Sequence, residues 1–501
     1  MNCTIGIDIG TTSTIGVLLN TKSNKVIFQC SRSVELYSQK SGWAEEEPEE
    51  WWKNTISILQ EIGKFSQNKN IQINSIGVTG MLPALVILDK NNKVIRRSIQ
   101  QSDSRTDKEL KSIFKKKSQK LNFTKKTKCG VNQQLIAPKV LWLKNNEPNN
   151  YKKINKIMGS YDFINFKLTG NFNIEHNWAL ESGLMDFKSK TFTPNLLKLG
   201  KIKSSWMPNI SSSEKIIGNL KKSIAKITNL PENIPIIAGC ADHIVSAFIA
   251  GVKKSGDVLL KFGGAGDIMV SSNKPFKDTR LFNDFHIIPG LYMPNGCMAT
   301  SGSLLNWFVK LIGDRGLKEI NHQKLDALVL KRANYKTTCT ILPYFLGEKT
   351  PIHDTKAKGT IVGLTLNHSI EDLWIAFLES VCFAFKHHLD VLNQNKIKVL
   401  RVFVSDGGSK SNIWMQIMAN TIQKNIEIVE GHYGSSQGAA FLAAKSIGLY
   451  TSYDQSALLN KKNKKIIFQK EYSDYYKKKY LIFRNLYKSL YQIFPMFDEI
   501  F

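Results

Sequence analysis

Apolar residues open the chain in alternation and short runs, broken by small polar turns, and this pattern predicts strands. "TIGIDIG" and "TTSTIGVLLN" read as two strands around a Gly-Thr-Thr turn, both rich in β-branched residues. "KVIFQCSRSVEL" (25–36) predicts a third. The period then lengthens. "EPEEWWKNTISILQEIGKF" (47–65) predicts a helix, with Pro48 suited to the first turn and acidic residues at the positive end of the dipole. "INSIGVTG" and "ALVILDKNNKVIRR" return to strand, the latter bent at an Asn-Asn turn. Mixed elements continue to "IPIIAG" (234–239), a buried strand that feeds a helix beginning in "GCADHIVSAFIAG" (239–251).

The pattern restarts in the second half. "VLLKFGGAGDIMVSS" (258–272) again predicts strand, Gly-rich turn, strand. Ile9–Ile15 overlays Phe262–Ile268 without a gap, which suggests two related α/β domains that each begin with a hairpin. "IEDLWIAFLESVCFAFKHHLDVL" (370–392) predicts a long amphipathic helix, "KVLRVFVSDGG" a strand running into a Gly loop, and "SNIWMQIMANTI" the next helix. "SSQGAAFLAAKSIG" (435–448) predicts an Ala-rich helix stopped by Gly448. The expected division is 1–251 and 252–450, with a Lys- and Tyr-rich peripheral helical tail over 451–501.

Bulk properties narrow the functional classes. A chain of 501 residues suits two domains of roughly 200–250 residues each. The net charge of +28 raises the question of a nucleic-acid partner. The excess is mostly Lys spread along the chain. Basic clusters such as "KKKSQK" (115–120) lack interleaved aromatics, so the charge reads as solvated surface and no nucleic-acid partner is expected. Seven scattered cysteines without a C-x-x-C point to reduced thiols in a cytoplasmic protein. No apolar stretch reaches the roughly 20 residues of a membrane span.

Three glycine-rich turns carry the first chemistry: "DIGTTS" (8–13), "KFGGAGD" (261–267) and "SDGGSKSN" (405–412). Glycine lets the backbone approach a phosphate, and Thr11, Thr12 and Ser13 add hydroxyl donors. Neither a Walker motif nor, at the first strand, G-x-G-x-x-G is present. Asp8 beside such a loop would repel phosphate unless a cation intervened, and Mg²⁺ needs only one or two carboxylates. Lys261 is its counterpart in the second hairpin. Asp242 begins a helix among small and apolar residues. Taken alone it reads as a helix cap or as a base for a hydroxyl proton; a metal pair with His243 is disfavoured because neighbouring helix residues do not share a face.

At this point the chain resembles the FGGY carbohydrate kinases of the actin-like ATPase superfamily, in order, from about residue 4 to 448. "IGIDIGTTST" resembles their first phosphate loop, and "GWAEEEPEEWW" (42–52) and "APKVLWLKNNEP" (137–148) resemble two further segments. "GEKTPIHDTKAKGTIVGLTLNH" (347–368) resembles the long family signature, and "SDGGSKSNIWMQIMANT" (405–421) the adenosine-binding loop and its helix. The resemblance implies two ribonuclease-H-like domains around a central cleft, with sugar mainly on the N-terminal domain and ATP mainly on the C-terminal one. It implies that Asp242 is the catalytic base and that Asp8 lies near Mg²⁺ and the phosphates. Thr11, Thr12 and Ser13 match the first phosphate loop, and Gly263 and Gly264 the second. Gly302 and Asn306 match nucleotide-side positions, and Gly407, Gly408 and Asn412 the adenosine loop.

The acceptor side departs from the family. Glycerol kinases carry Arg-Glu and xylulose kinases Met-His after the strand that ends here in Gly80; this chain has Met81, Leu82 and Pro83. His243 stands where an amide usually follows the base, and Gln101 where Trp is usual before Asp103 and Arg105. Met81, Leu82, Asp103, Asp242 and His243 are the candidate acceptor contacts. Asp103 reads equally as a hydroxyl binder or as the partner of Arg105. The expected activity is transfer of a phosphoryl group to a pentulose or related ketose, with a polyol kinase or a non-catalytic ATP-binding module as the alternatives. The expected partner is a small sugar, with no membrane partner, and a homodimer is the assembly considered.

Overall fold

The computed structural model describes residues 1–313, 320–431, 434–460 and 463–500. Contacts divide the chain into two units, Met1–Ile249 with Asn283–Leu291 and His432–Asn460, and Ala250–Phe282 with Tyr292–Gly431 and Lys461–Phe501. Both are α/β.

In the first unit the strands Asn2–Ile9 and Ser13–Asn20 form the expected hairpin, and Lys25–Ser33 adds antiparallel to it. On the other side Gln72–Gly80 pairs parallel with the first strand, followed by Pro235–Ile237 in parallel and Ile216–Asn219 antiparallel. Alternation sends successive residues to opposite faces. A Cβ at Gly16 would meet Ile58 of the helix Pro48–Asn68, and a Cβ at Gly6 would meet the Ser436 carbonyl of the helix Gly434–Ser446. The pairing Ile7↔Gly16 and Gly6↔Val17 places those helices on opposite faces. The first helix buries Trp51, Ile58, Leu59 and Ile62 at helical spacing.

The second unit repeats this order. Asp257–Phe262 and Gly266–Val270 form a hairpin, Tyr292–Met298 extends it antiparallel, and Arg401–Ser405 and Ile426–Ile428 follow in parallel on the other side. Asp8 and Lys261 are both the penultimate residues of their first strands. The helix Ile370–Gln394 carries much of the core, burying Trp374, Phe377, Phe383 and Phe385 among others.

The helix Gly434–Ser446 lies within the expected 252–450, and its contacts group it with the first unit. Its small residues let it approach the sheet backbone, and Thr4 Oγ1 donates to the Ala440 carbonyl at 2.8 Å. The tail packs on the second unit. Lys464–Ile466 pairs antiparallel with Ile426–Ile428, and the helix Ser473–Leu490 buries Tyr476 and Phe483 in the second core. Among the described residues no helix is long and apolar enough to cross a membrane.

Candidate active site

In the first unit the ends of three strands converge. Asp8 and Ile9 pair with Thr79 and Gly80 from one side, and Cys240 and Ala241 pair with the same two residues from the other. This register brings the Gly10–Ser13 turn, Met81 and Asp242 to the carboxyl ends of parallel strands, where α/β sheets bind their ligands. Gly239 makes the approach of the last strand feasible. Its φ is +84°, and a Cβ there would lie 1.8 Å from the Val78 carbonyl.

Asp242 begins the helix Asp242–Ala250, and its side chain is 35% exposed. Its Oδ1 accepts from the His243 backbone N–H at 2.6 Å and faces His243 Nδ1 at 3.4 Å. The two side chains therefore do meet, contrary to the expectation from helix geometry, because Asp242 sits at the first position and folds back on its own helix. His243 Nε2 lies 3.0 Å from Asp284 Oδ2, and Glu181 completes a group whose donor atoms fall within 4.8 Å of one another. Burial works against a charge on His243. Hydrogen bonds to Asp242 and Asp284, with the carboxylates of Asp284 and Glu181, outweigh it and hold the imidazole well above its ordinary pKa. Burial, then the charge of Asp284, pushes Glu181 well above the carboxylate range.

Asp8 Oδ2 accepts from Ser435 Oγ at 2.5 Å, at the start of the helix Gly434–Ser446. Thr11 and Thr12 are exposed and Ser13 is half-buried. Met81 and Leu82 are buried, and the Met81 carbonyl accepts from Ser160 Oγ at 2.7 Å. Asp103 does not reach this edge as a hydroxyl binder. It is fully buried, with Arg105 Nη2 at 2.7 Å and the Ala44 N–H at 2.7 Å on the same oxygen. Of its two readings, the structural pair is the one the geometry supports. Arg105 also forms an ion pair with Glu45 at 2.6 Å and lies 3.7 Å over the Trp43 ring, which packs edge-on against Trp142. Lys139 Nζ donates to the carbonyls of Pro83 and Gln100 at 3.2 and 2.9 Å. Burial, partly countered by Asp103, lowers this lysine to about 7. Three sequence segments thus build one buried cluster behind the Met81–Pro83 loop.

The second unit holds a cavity of about 390 Å³ whose lining includes Gly263, Gly264, Gly302, Asn306, Gly407 and Gly408. Asn412 lies outside it, exposed and accepting from Lys464 Nζ at 2.8 Å; Lys410 and Ser411 line it instead. The backbone N–H groups of Gly302 and Ser303, at the start of the helix Gly302–Gly313, donate to Gly263 and Gly264 at 2.8 and 3.0 Å. A Cβ on Gly264 would meet nothing within 4 Å. Phe262, Trp374 and Trp414 supply flat apolar walls. Asp326 braces them, accepting from Trp374 Nε1 at 2.9 Å and Ser411 Oγ at 2.7 Å. Burial holds the lining His322 below its ordinary pKa, hence neutral near pH 7. Lys261 Nζ lies 3.8 Å from Asp406. The sequence reading missed Asp326, Trp374 and His322, whose segments read as ordinary amphipathic helix. It also missed Ser435, Asp284 and Glu181, whose roles arise only from distant contacts.

Comparison with known proteins places both units in one family. Residues 3–249 match the N-terminal domain model of the FGGY family of carbohydrate kinases, and residues 263–447 match the C-terminal one. A xylulose kinase of Bacillus subtilis is 27% identical over 98% of this chain and 97% of its own. The crystal structure of xylulose kinase from Rhodospirillum rubrum has a TM-score of 0.92 at 41% identity, covering 98% of this chain and 99% of that one. A Plasmodium falciparum glycerol kinase with ADP shares the fold, at a TM-score of 0.87 and 23% identity over 96% of this chain and 97% of its own.

Proposed function

Because the chain belongs to the FGGY family of carbohydrate kinases, we propose that it is an ATP-dependent pentulose kinase that phosphorylates a primary hydroxyl of xylulose or a related ketose. The observation that carries the reading is Asp242, a partly exposed carboxylate at a helix start where parallel strands end. The acceptor class is supported by the Bacillus subtilis and Rhodospirillum rubrum relatives, two xylulose kinases that span nearly the whole chain.

An alcohol is a poor nucleophile at neutral pH. Asp242 accepts its proton as the oxygen bonds to the γ-phosphorus. The bond from that phosphorus to the oxygen bridging the β-phosphate breaks, and ADP leaves with the electron pair. The transition state is loose, so placement counts for more than basicity. We assign adenine to the aromatic cavity beside neutral His322, and phosphate to the Gly263–Gly264 loop at the start of Gly302–Gly313. Asp8, at its strand end with the Ser435 hydroxyl, fits a cation that takes one or two protein carboxylates and otherwise phosphate and water. Mg²⁺ there would neutralise phosphate charge. Thr11, Thr12 and Ser13 would donate to phosphate from the first turn, and Met81 and Leu82 would bound the sugar on its apolar side.

We place the protein in the cytoplasm, since all seven cysteines are unpaired, as a reducing compartment leaves them. A homodimer is the proposed assembly, supported by the exposed apolar strip of Ile361, Val362, Leu364 and Leu366; a monomer mass by light scattering would exclude it.

Coupled ADP detection across ketoses and polyols tests the activity. Xylulose-dependent ADP release is the expected result, and no acceptor-dependent release from any sugar or polyol would overturn it. Asp242→Asn should lower turnover by about 10²–10⁴, with the KM for ATP little changed. Retained turnover would remove the base assignment.

A further inference from the structure

The group formed by His243, Asp284 and Glu181 is not explained by phosphoryl transfer alone. It is drawn from three elements: the helix Asp242–Ala250, the strand Phe282–Phe285 and the end of the helix His176–Glu181. Asp284 is fully buried, whereas the side chain of His243 is 23% exposed and that of Asp242 35%. The line therefore runs from a buried carboxylate, through an imidazole, to an accessible carboxylate.

We propose, resting on Asp242 as the base, that His243 is its positioning residue: anchored through Nε2 by Asp284, the imidazolium presents Nδ1 to Asp242 and fixes the plane of the carboxylate that receives the hydroxyl proton. Two donors of one residue, the backbone N–H and Nδ1, meet the same oxygen of Asp242. That pair of contacts restricts rotation about the carboxylate bond. Only the protonated imidazole can donate from both ring nitrogens. With a carboxylate on each side, a neutral ring would aim one lone pair at a negative oxygen.

The surrounding titratable groups favour the charged ring. Asp242 faces it from its own helix, and Asp284 and Glu181 from the two packed elements. Further out lie Glu175 with His176, which burial holds neutral, and the thiols of Cys240 and Cys129, pushed up by burial. The ammonium of Lys190 acts on His176. An amide at this position would donate to one side only and bring no charge, so the imidazolium holds the base differently.

The test uses the full-length protein with ATP and xylulose. His243→Gln installs a neutral amide of similar size and should fold. Its kcat should fall by about 10- to 100-fold with the KM for ATP unchanged. The acid limb of its kcat/KM profile should move to higher pH, and the alkaline limb set by loss of the imidazolium proton should vanish. Asp284→Asn should move that alkaline limb to lower pH. Nitrogen NMR of the ¹⁵N-histidine-labelled wild type, assigned with His243→Gln, should show a ring still protonated well above pH 7. A ring that titrates like an ordinary histidine, or a His243→Gln profile parallel to wild type at every pH, would overturn the proposal. Asp242→Asn separates the two ideas. If it is inactive while His243→Gln behaves as wild type, the base stands and the positioning role falls. If Asp242→Asn keeps its turnover, the base reading itself has failed.

Discussion

Single residues decide how closely the backbone is approached in each unit, and the glycines divide by what surrounds them. A Cβ at Gly6 would sit 1.8 Å from the Ser436 carbonyl, so Gly6→Ala must push a helix off its sheet. A loss of about 1–3 kcal/mol or more is expected by thermal melt. Gly264 is the opposite case, with open space where its Cβ would be. Gly264→Ala should melt with the wild type yet raise the KM for ATP, because the added methyl occupies the cradle assigned to phosphate. An unchanged KM would move the phosphate elsewhere. Lys139 shows how a motif residue works without touching substrate. Lys139→Met removes the donor shared by the Pro83 and Gln100 carbonyls, and should destabilise by about 1–3 kcal/mol.

Among elements, the last helix was the least legible. Ser473–Leu490 has many Lys and Tyr residues and reads as a peripheral helix. It is held by a buried ion pair, with Lys479 Nζ 2.5 Å from Glu379 Oε2 and 2.6 Å from the Thr337 carbonyl. Tyr475 adds a hydrogen bond to Glu379 Oε1 at 2.8 Å. Burial raises the pKa of Glu379, and the ammonium opposes the rise. Glu379→Ala leaves that ammonium buried without its carboxylate and should cost about 3–5 kcal/mol. Combining Glu379→Leu with Lys479→Met should recover most of the loss, because the desolvation penalty disappears with both charges. Additive losses in a denaturant titration of the single and double variants would show that the pair is not coupled.

Over the whole molecule, neither unit is one continuous piece of chain. The first takes back residues 432–460, whose helix buries Ala440, Phe441, Leu442 and Ala443. A fragment ending at residue 251 therefore lacks one cover of its sheet and should not fold cooperatively by circular dichroism, despite matching the expected domain. Stability should also respond to pH through Glu348, which burial pushes up to about 8 even though it accepts from the Ala299 and Lys349 N–H groups. Its folded pKa lies above its unfolded one. Its contribution is complete below the unfolded value and lost as pH rises through about 8. Glu348→Gln should gain on the wild type as pH is raised from about 5 to 8; a gap between the melting curves that ignores pH would refute this.

The sequence by itself determined the local features: the two hairpins and their Gly turns, the amphipathic helices, and a carboxylate at the first turn of Asp242–Ala250. Such features follow from backbone geometry and apolar spacing within a few residues, so they are written where they act. The tertiary structure decided everything that joins distant residues. Asp284 meets His243 across 41 positions, and Ser435 meets Asp8 across 427. Asp103 is withdrawn into an ion pair that its own motif could equally have offered to a sugar. The helix Gly434–Ser446 joins the first sheet because Gly6 and small helix residues allow backbone contact. No local period encodes these partners, because burial and charge pairing are set by which surfaces the folded chain brings together.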